Sequence, residues 1–228
     1  MILVSGLAGG CASALRWEPE KAETPQTHTV KEGDTLYAIA WRHNLDWQKL
    51  AAWNKLDNGD LIYPGQRLRL YAPTGQTTAQ KQRPESSTAK QPQKTPATAS
   101  KPKQPAPVFE WPADGPVVAA FGDASSIGEG LDIGGVQGAA VKAAGAGKVV
   151  YVGSGLIGYG KLIIVKHNET YLSAYGHNRV LLVSQGDEIV SGQHIAQMGE
   201  GPGNRPLLHF EIRVNGQPVD PALYLPRR

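Results

Sequence analysis

The chain has 228 residues, 40% of them hydrophobic, with 27 Gly and 17 Pro, so its length allows one or two domains while its composition describes ordered units joined by unstructured chain. No apolar run reaches the roughly 20 residues of a membrane-spanning helix, and a single cysteine excludes a disulfide framework or a cysteine-based zinc knuckle. The formal net charge of +3 is concentrated in residues 72–107, where six Lys/Arg face Glu85 alone, whereas residues 108–228 carry nine basic and eleven acidic side chains. No ordered segment then has the basic face that phosphate neutralisation demands, which argues against nucleic acid as a partner.

Residues 1–11, MILVSGLAGGC, form an apolar stretch that closes on small residues before Cys11. Residues 12–26 are a polar tether. Residues 27–71 open and close with strand-like alternation, at His28-Thr29-Val30 and Arg67-Leu68-Arg69-Leu70. Between them lie two short helical patterns. Asp34 or Thr35 suits the cap of the first, with Leu36, Ile39 and Ala40 on one face; Asp46 suits the cap of the second, with Leu50 and Trp53 inward. Asn44 is the stop between them. A small α+β module in the order strand, helix, helix, strand is expected.

Residues 72–107 hold seven prolines and many Gln, Thr, Ser and Ala without apolar periodicity. Such a composition buries too little surface to fold and reads as a disordered tether, up to roughly 110 Å when extended. From residue 108 the pattern changes to short β-rich runs punctuated by glycine: Val117–Phe121, Lys148–Val152, Leu162–His167, Tyr171–His177 and Leu207–Val214. This predicts an all-β domain of antiparallel sheets over residues 108–228. Asn215-Gly216 is a strong two-residue hairpin turn.

Several stretches resemble known families. The first eleven residues resemble the end of a bacterial lipoprotein signal, truncated before its apolar core, which implies lipidation at Cys11. Ala12 stands where Asp would mark inner-membrane retention, implying sorting to the outer membrane. Val30-Lys31-Glu32-Gly33-Asp34-Thr35-Leu36, Ile39-Ala40, Trp53-Asn54 and Ile62-Tyr63-Pro64-Gly65-Gln66 resemble a LysM domain. That likeness implies binding of peptidoglycan glycan strands between two loops, with Gly33, Asp34, Thr35 and Leu36 on one and Asn58, Leu61, Ile62 and Tyr63 on the other.

Residues 108–228 resemble the lysostaphin-type (LytM) zinc endopeptidases through Trp111-Pro112, Phe121-Gly122, Gly130-Leu131-Asp132-Ile133, Tyr175-Gly176-His177 and Leu208-His209-Phe210-Glu211-Ile212. Carried across, Asp132 and His209 match two metal ligands and His177 one catalytic histidine. Gly128 stands in place of the third ligand, and Leu207 in place of the second catalytic histidine. Residues two apart on a strand share a face, so Leu207 points with His209. A catalytic zinc needs three protein ligands and an open position. The resemblance therefore implies a degenerate domain with no metal, no cofactor and no catalytic residue. The old site becomes a partner-binding groove of Gly128, Asp132, Tyr159, His177, Leu207, His209 and Arg213, with Tyr159 an exposed aromatic anchor in the Gly158–Gly160 loop.

Anchor, LysM module, tether and degenerate LytM domain together resemble the NlpD family. Membership implies a non-enzymatic activator of a periplasmic N-acetylmuramyl-L-alanine amidase, lipid-anchored at the periplasmic face of the outer membrane and touching the membrane only through its anchor. The alternatives from other classes are an active zinc murein endopeptidase and a passive peptidoglycan-binding lipoprotein.

Overall fold

A computed structural model describes residues 26–56, 61–73, 105–123 and 129–228. Cys11 and the polar tether, Asn58, nearly all of the 72–107 segment and Gly128 lie outside the described residues.

The small module runs β1 (Thr27–Thr29), α1 (Leu36–Arg42), α2 (Trp47–Trp53) and β2 (Arg67–Arg69), with β1 and β2 antiparallel and His28 opposite Leu68. Of the two candidate caps for α1, Thr35 is the one used: its hydroxyl accepts from the Ala38 N–H at 3.0 Å. Asp34 instead closes the preceding turn, accepting from the Lys31 N–H at 3.0 Å and bonding His28 Nε2 at 2.8 Å. Asp46 caps α2 through the Gln48 N–H. Asn44 stops α1 in the left-handed region, at φ 51°. Val30, Leu36, Ile39, Ala40, Leu50, Ala51 and Leu68 form the module's own core, while Trp53 is only half-buried.

The larger domain contains, among the described residues, β3 (Val117–Ala119), β4 (Leu131–Gly134), β5 (Ala140–Lys142), β6 (Gly147–Gly153), β7 (Lys161–Lys166) and β8 (Tyr171–Leu181). It continues with β9 (Glu188–Ile189), β10 (His194–Glu200), β11 (Pro206–Val214) and β12 (Gln217–Val219). All pairings are antiparallel, in the order β3-β4-β11-β10-β8-β7-β6-β9, with β12 on β11, β5 on β10 and a further β11–β8 ladder. The hairpin turn is where Asn215-Gly216 places it, joining Val214 to Gln217 with φ 51° and 78° at its two residues.

Strand β7 explains how the two modules meet. Its run Leu162-Ile163-Ile164-Val165 is apolar on both faces, so both must be covered. Ile163 and Val165 enter the main core with Leu131, Ile133, Tyr175, Phe210 and Ile212. Leu162 and Ile164 face the other way and form a second cluster with Val150, Tyr151, Leu156, Leu172 and Ala174. That cluster is closed by Tyr37, Ala38 and Trp41 of α1. The helix thus packs its own module with one face and the β-domain with the other.

Candidate functional site

Strand β11 alternates strictly. Leu208, Phe210 and Ile212 enter the core, which leaves Leu207, His209, Glu211 and Arg213 on the opposite face. Register sets Asp132 of β4 directly across from His209, with Gly176 of β8 on its other side. Gly176 leaves room there: a Cβ would sit 3.4 Å from His209 Cβ and 3.2 Å from the Tyr159 carbonyl oxygen.

The polar side chains on this face form one continuous chain of opposite charges. His209 Nδ1 lies 2.6 Å from Asp132 Oδ1, and its Nε2 lies 3.1 Å from Glu211 Oε1. Arg213 Nε donates to Glu211 Oε2 at 3.1 Å, and the Tyr159 hydroxyl donates to Glu211 Oε1 at 2.7 Å. Burial alone would lower the His209 pKa, but hydrogen bonds and charge from Asp132 and Glu211 outweigh it and raise it to about 9. Burial pushes the Glu211 carboxyl upward, and His209 and Arg213 reverse this, holding it below the usual range. Burial, then the Glu211 charge, drives the Tyr159 phenol well up, so it stays a donor. His209 is therefore an imidazolium donating from both ring nitrogens, and the alternation runs Asp132, His209, Glu211, Arg213. Each charge has an opposite neighbour, which buried ions require.

Tyr159 is half-buried rather than an exposed anchor. Its ring packs edge-on to His209 with centroids 5.6 Å apart, so its loop roofs the site. The aromatic loop does offer an exposed apolar side chain, but it is Ile157, which is 100% accessible. His177 sits beneath the same loop at φ 58°, its N–H donating to the Tyr159 carbonyl at 2.8 Å. Burial and the nearby charge of His209 lower its pKa, and the two rings lie 6.4 Å apart. Leu207 is buried on the His209 face, packed against Gly201. His167, outside this face, is a satisfied core histidine: it bonds Ser173 Oγ and the Ala146 carbonyl, and burial lowers it to about 4.

Arg213, expected on an open groove, is 3% exposed. It is covered by the LysM-like module: its guanidinium stacks 3.8 Å over the Trp41 ring and donates to the Trp41 carbonyl and Asn44 Oδ1, each at 2.9 Å. Sequence reasoning had no means to pair residues so far apart along the chain. Glu211 was also passed over as a site residue, although its place two residues from His209 puts it on the same strand face.

In the small module, Gly33 is exposed at φ 79° with open space around it, and Leu61 and Tyr63 are exposed. Ile62 packs partly against the module's core, Leu36 lies wholly within it, and Thr35 is the buried helix cap.

A catalytic zinc does not fit the β-domain. Both nitrogens of His209 are committed to carboxylates, Asp132 is spent on His209, and Arg213 brings a fixed positive charge to the same network. Among the described residues no group of three or more His, Cys, Asp or Glu side chains is placed to hold a metal ion. Among the described residues this arrangement does not offer the three ligands and open position of a catalytic zinc.

Family models place these features. Peptidase family M23 matches residues 126–221 and the LysM domain matches residues 28–70. The chain is 40% identical to "Lipoprotein NlpD/LppB homolog" of Pseudomonas aeruginosa, over 96% of this chain and 82% of that protein. It is 36% identical to "Uncharacterized lipoprotein YgeR" of Escherichia coli, over 99% and 91%. It is 34% identical to "Murein hydrolase activator NlpD" of Escherichia coli, over 92% and 70%. The molecule is thus a LysM module joined to a catalytically degenerate M23-fold domain, in which Asp132, His209, Glu211 and Arg213 are bound to one another. The chain belongs to the NlpD/LppB family of lipoproteins.

Proposed function

We propose that this protein is a non-enzymatic activator of a periplasmic N-acetylmuramyl-L-alanine amidase, bound to peptidoglycan through its LysM module. It would be lipid-anchored through Cys11 at the periplasmic face of the outer membrane, so that amidase activation is confined to the wall. The observation that carries this reading is the commitment of both His209 nitrogens to carboxylates, in a chain 34% identical to a murein hydrolase activator.

In this reading the groove that the resemblance assigns to Gly128, Asp132, Tyr159, His177, Leu207, His209 and Arg213 grips a regulatory segment of the amidase and favours its open form. Such a ligand acts only through its differential affinity for the two states. The loops with Gly33, Asp34, Thr35 and Leu36, and with Asn58, Leu61, Ile62 and Tyr63, receive the glycan. Backbone groups beside apolar side chains suit acetamido groups and sugar faces.

The test is dye release from labelled peptidoglycan by candidate amidases, with and without the full chain. The protein alone should release nothing, and one amidase should be accelerated. Release by the protein alone would restore the endopeptidase reading. Wall binding with no amidase responding would leave a passive wall lipoprotein.

A further inference from the structure

We propose that the face around Glu211 and Arg213 is a docking surface for the carboxyl end of a short helix bearing an aromatic residue. The LysM helix α1 is its resident occupant, and an activating partner of the same chemistry must displace α1 to reach it. The proposal rests on the amidase-activator reading and adds to it the kind of segment recognised and what competes for the surface.

The contact has a definite chemistry. The last carbonyls of a helix lack intrahelical partners and carry the negative end of its dipole. Arg213 adds to that end of α1: it donates to the Trp41 carbonyl, which also accepts from the Asn44 N–H, and to Asn44 Oδ1, and lies flat on the Trp41 ring. Planar stacking and a donor fork together are properties of arginine that lysine does not share. Glu211, held from beneath by His209, fixes the guanidinium in place. The degenerate metal site thereby supports a recognition element for a helix end.

The cover is separable. Trp41 and Tyr37 belong to the cluster on the β-domain and not to the core of their own module, with Trp47 packed against both. The surrounding contacts are polar and exposed: Arg42 to the Gly155 carbonyl, Gln48 to Glu169, Gln217 to the Asn44 carbonyl. These polar bonds ring an apolar centre, so a segment that displaces α1 must bring an aromatic side chain of its own to cover Leu162 and Ile164. The fit is also incomplete. A cavity of about 270 Å³ remains between Trp41 and Asn44 on one side and Glu129, Ile157, Tyr159 and Arg213 on the other. A segment that filled it would gain contacts that α1 does not make. The 36 residues of 72–107 leave ample chain for the module to move aside.

The experiment uses the full chain, as wild type, Trp41→Ala, and the rim double variant Gln48→Ala/Gln217→Ala, which removes the exposed bonds to Glu169 and to the Asn44 carbonyl. Small-angle X-ray scattering reads the radius of gyration, and amidase dye release reads the concentration for half-maximal activation. Expected are a compact wild type, larger radii for both variants, and a half-maximal concentration lowered about ten-fold for Trp41→Ala, since apparent affinity scales with the competent fraction. The rim variant, which alters only surface contacts, should move both readouts in the same direction and guards against misfolding of the first. Unchanged radii in both variants would overturn the docking. Larger radii with unchanged or weaker activation would overturn the competition. If no amidase responds to any of the three while their radii still differ, the activator reading fails and the docking of α1 is upheld.

Discussion

Arg213 stacks 3.8 Å over the Trp41 ring and at the same time donates to the carbonyl of that residue. One side chain of the M23-fold domain thus holds both the aromatic face and the backbone end of a LysM helix. The network behind it, Glu211 to His209 to Asp132, extends this contact across to strand β4.

Removing Arg213 leaves Glu211 buried with one cation instead of two. Arg213→Ala should destabilise the β-domain by about 3–5 kcal/mol, the cost typical of breaking a buried pair. Arg213→Lys should cost less, keeping the charge but losing the fork and the stack. Urea unfolding of the full chain measures both; a loss under about 0.5 kcal/mol for the alanine variant would show that the network does not need its terminal cation.

The His209 pKa gives a pH signature. It rises from 6.5 to about 9 on folding, so its contribution is complete below about pH 6.5 and is lost as pH climbs through about 9. Glu211 is shifted downward, so its contribution is present above its ordinary 4.5 and is lost on acidification. Imidazole chemical shifts should show His209 still protonated at pH 7.5. A neutral ring at that pH would break the proposed charge alternation.

The metal position should stay unfilled by zinc in solution. With both His209 nitrogens committed, the purified full chain incubated with equimolar zinc and desalted should retain far less than one ion per molecule by elemental analysis. Stoichiometric retention would mean that the carboxylates yield to the metal, and the degenerate reading would fall.

On the LysM module, Leu61 and Tyr63 are exposed, and they are the residues to alter. Leu61→Ala with Tyr63→Ala should reduce co-sedimentation with insoluble peptidoglycan about ten-fold and leave thermal unfolding unchanged. Asp34→Ala should behave differently. Asp34 ties together His28, the Lys31 N–H and Arg42, so its loss should lower stability as well as sedimentation.

Gly216 tests the interface from the other side. Its φ of 78° disfavours any other residue, and a Cβ there would fall 2.3 Å from the Leu45 carbonyl oxygen across the domain boundary. Gly216→Ala should cost about 1 kcal/mol at the turn. It should also loosen the docked module, read as faster proteolysis at residues 42–48.

Much of this molecule is determined locally, and that part was legible in the sequence. Asn215-Gly216 makes its turn because only residues at ease with positive φ close a two-residue hairpin. Asp46 and Asn44 bound their helices through bonds to atoms a few residues away. The alternation of β11 follows from the pleat, and so does the grouping of Leu207, His209 and Arg213 on one face. The short strands β5 and β9 were not legible, since two or three residues carry no usable period and their pairing partners lie elsewhere in the chain. What only the tertiary structure decided is what each face meets. The doubly apolar run Leu162–Val165 called for a second cover, but nothing in that run names α1 as the cover. Arg213 and Tyr159 looked open because an alternating pattern states which way a side chain points and not what packs over it. The module that covers them is 172 residues from Arg213 at Trp41, a separation across which only packing and charge complementarity select the partner.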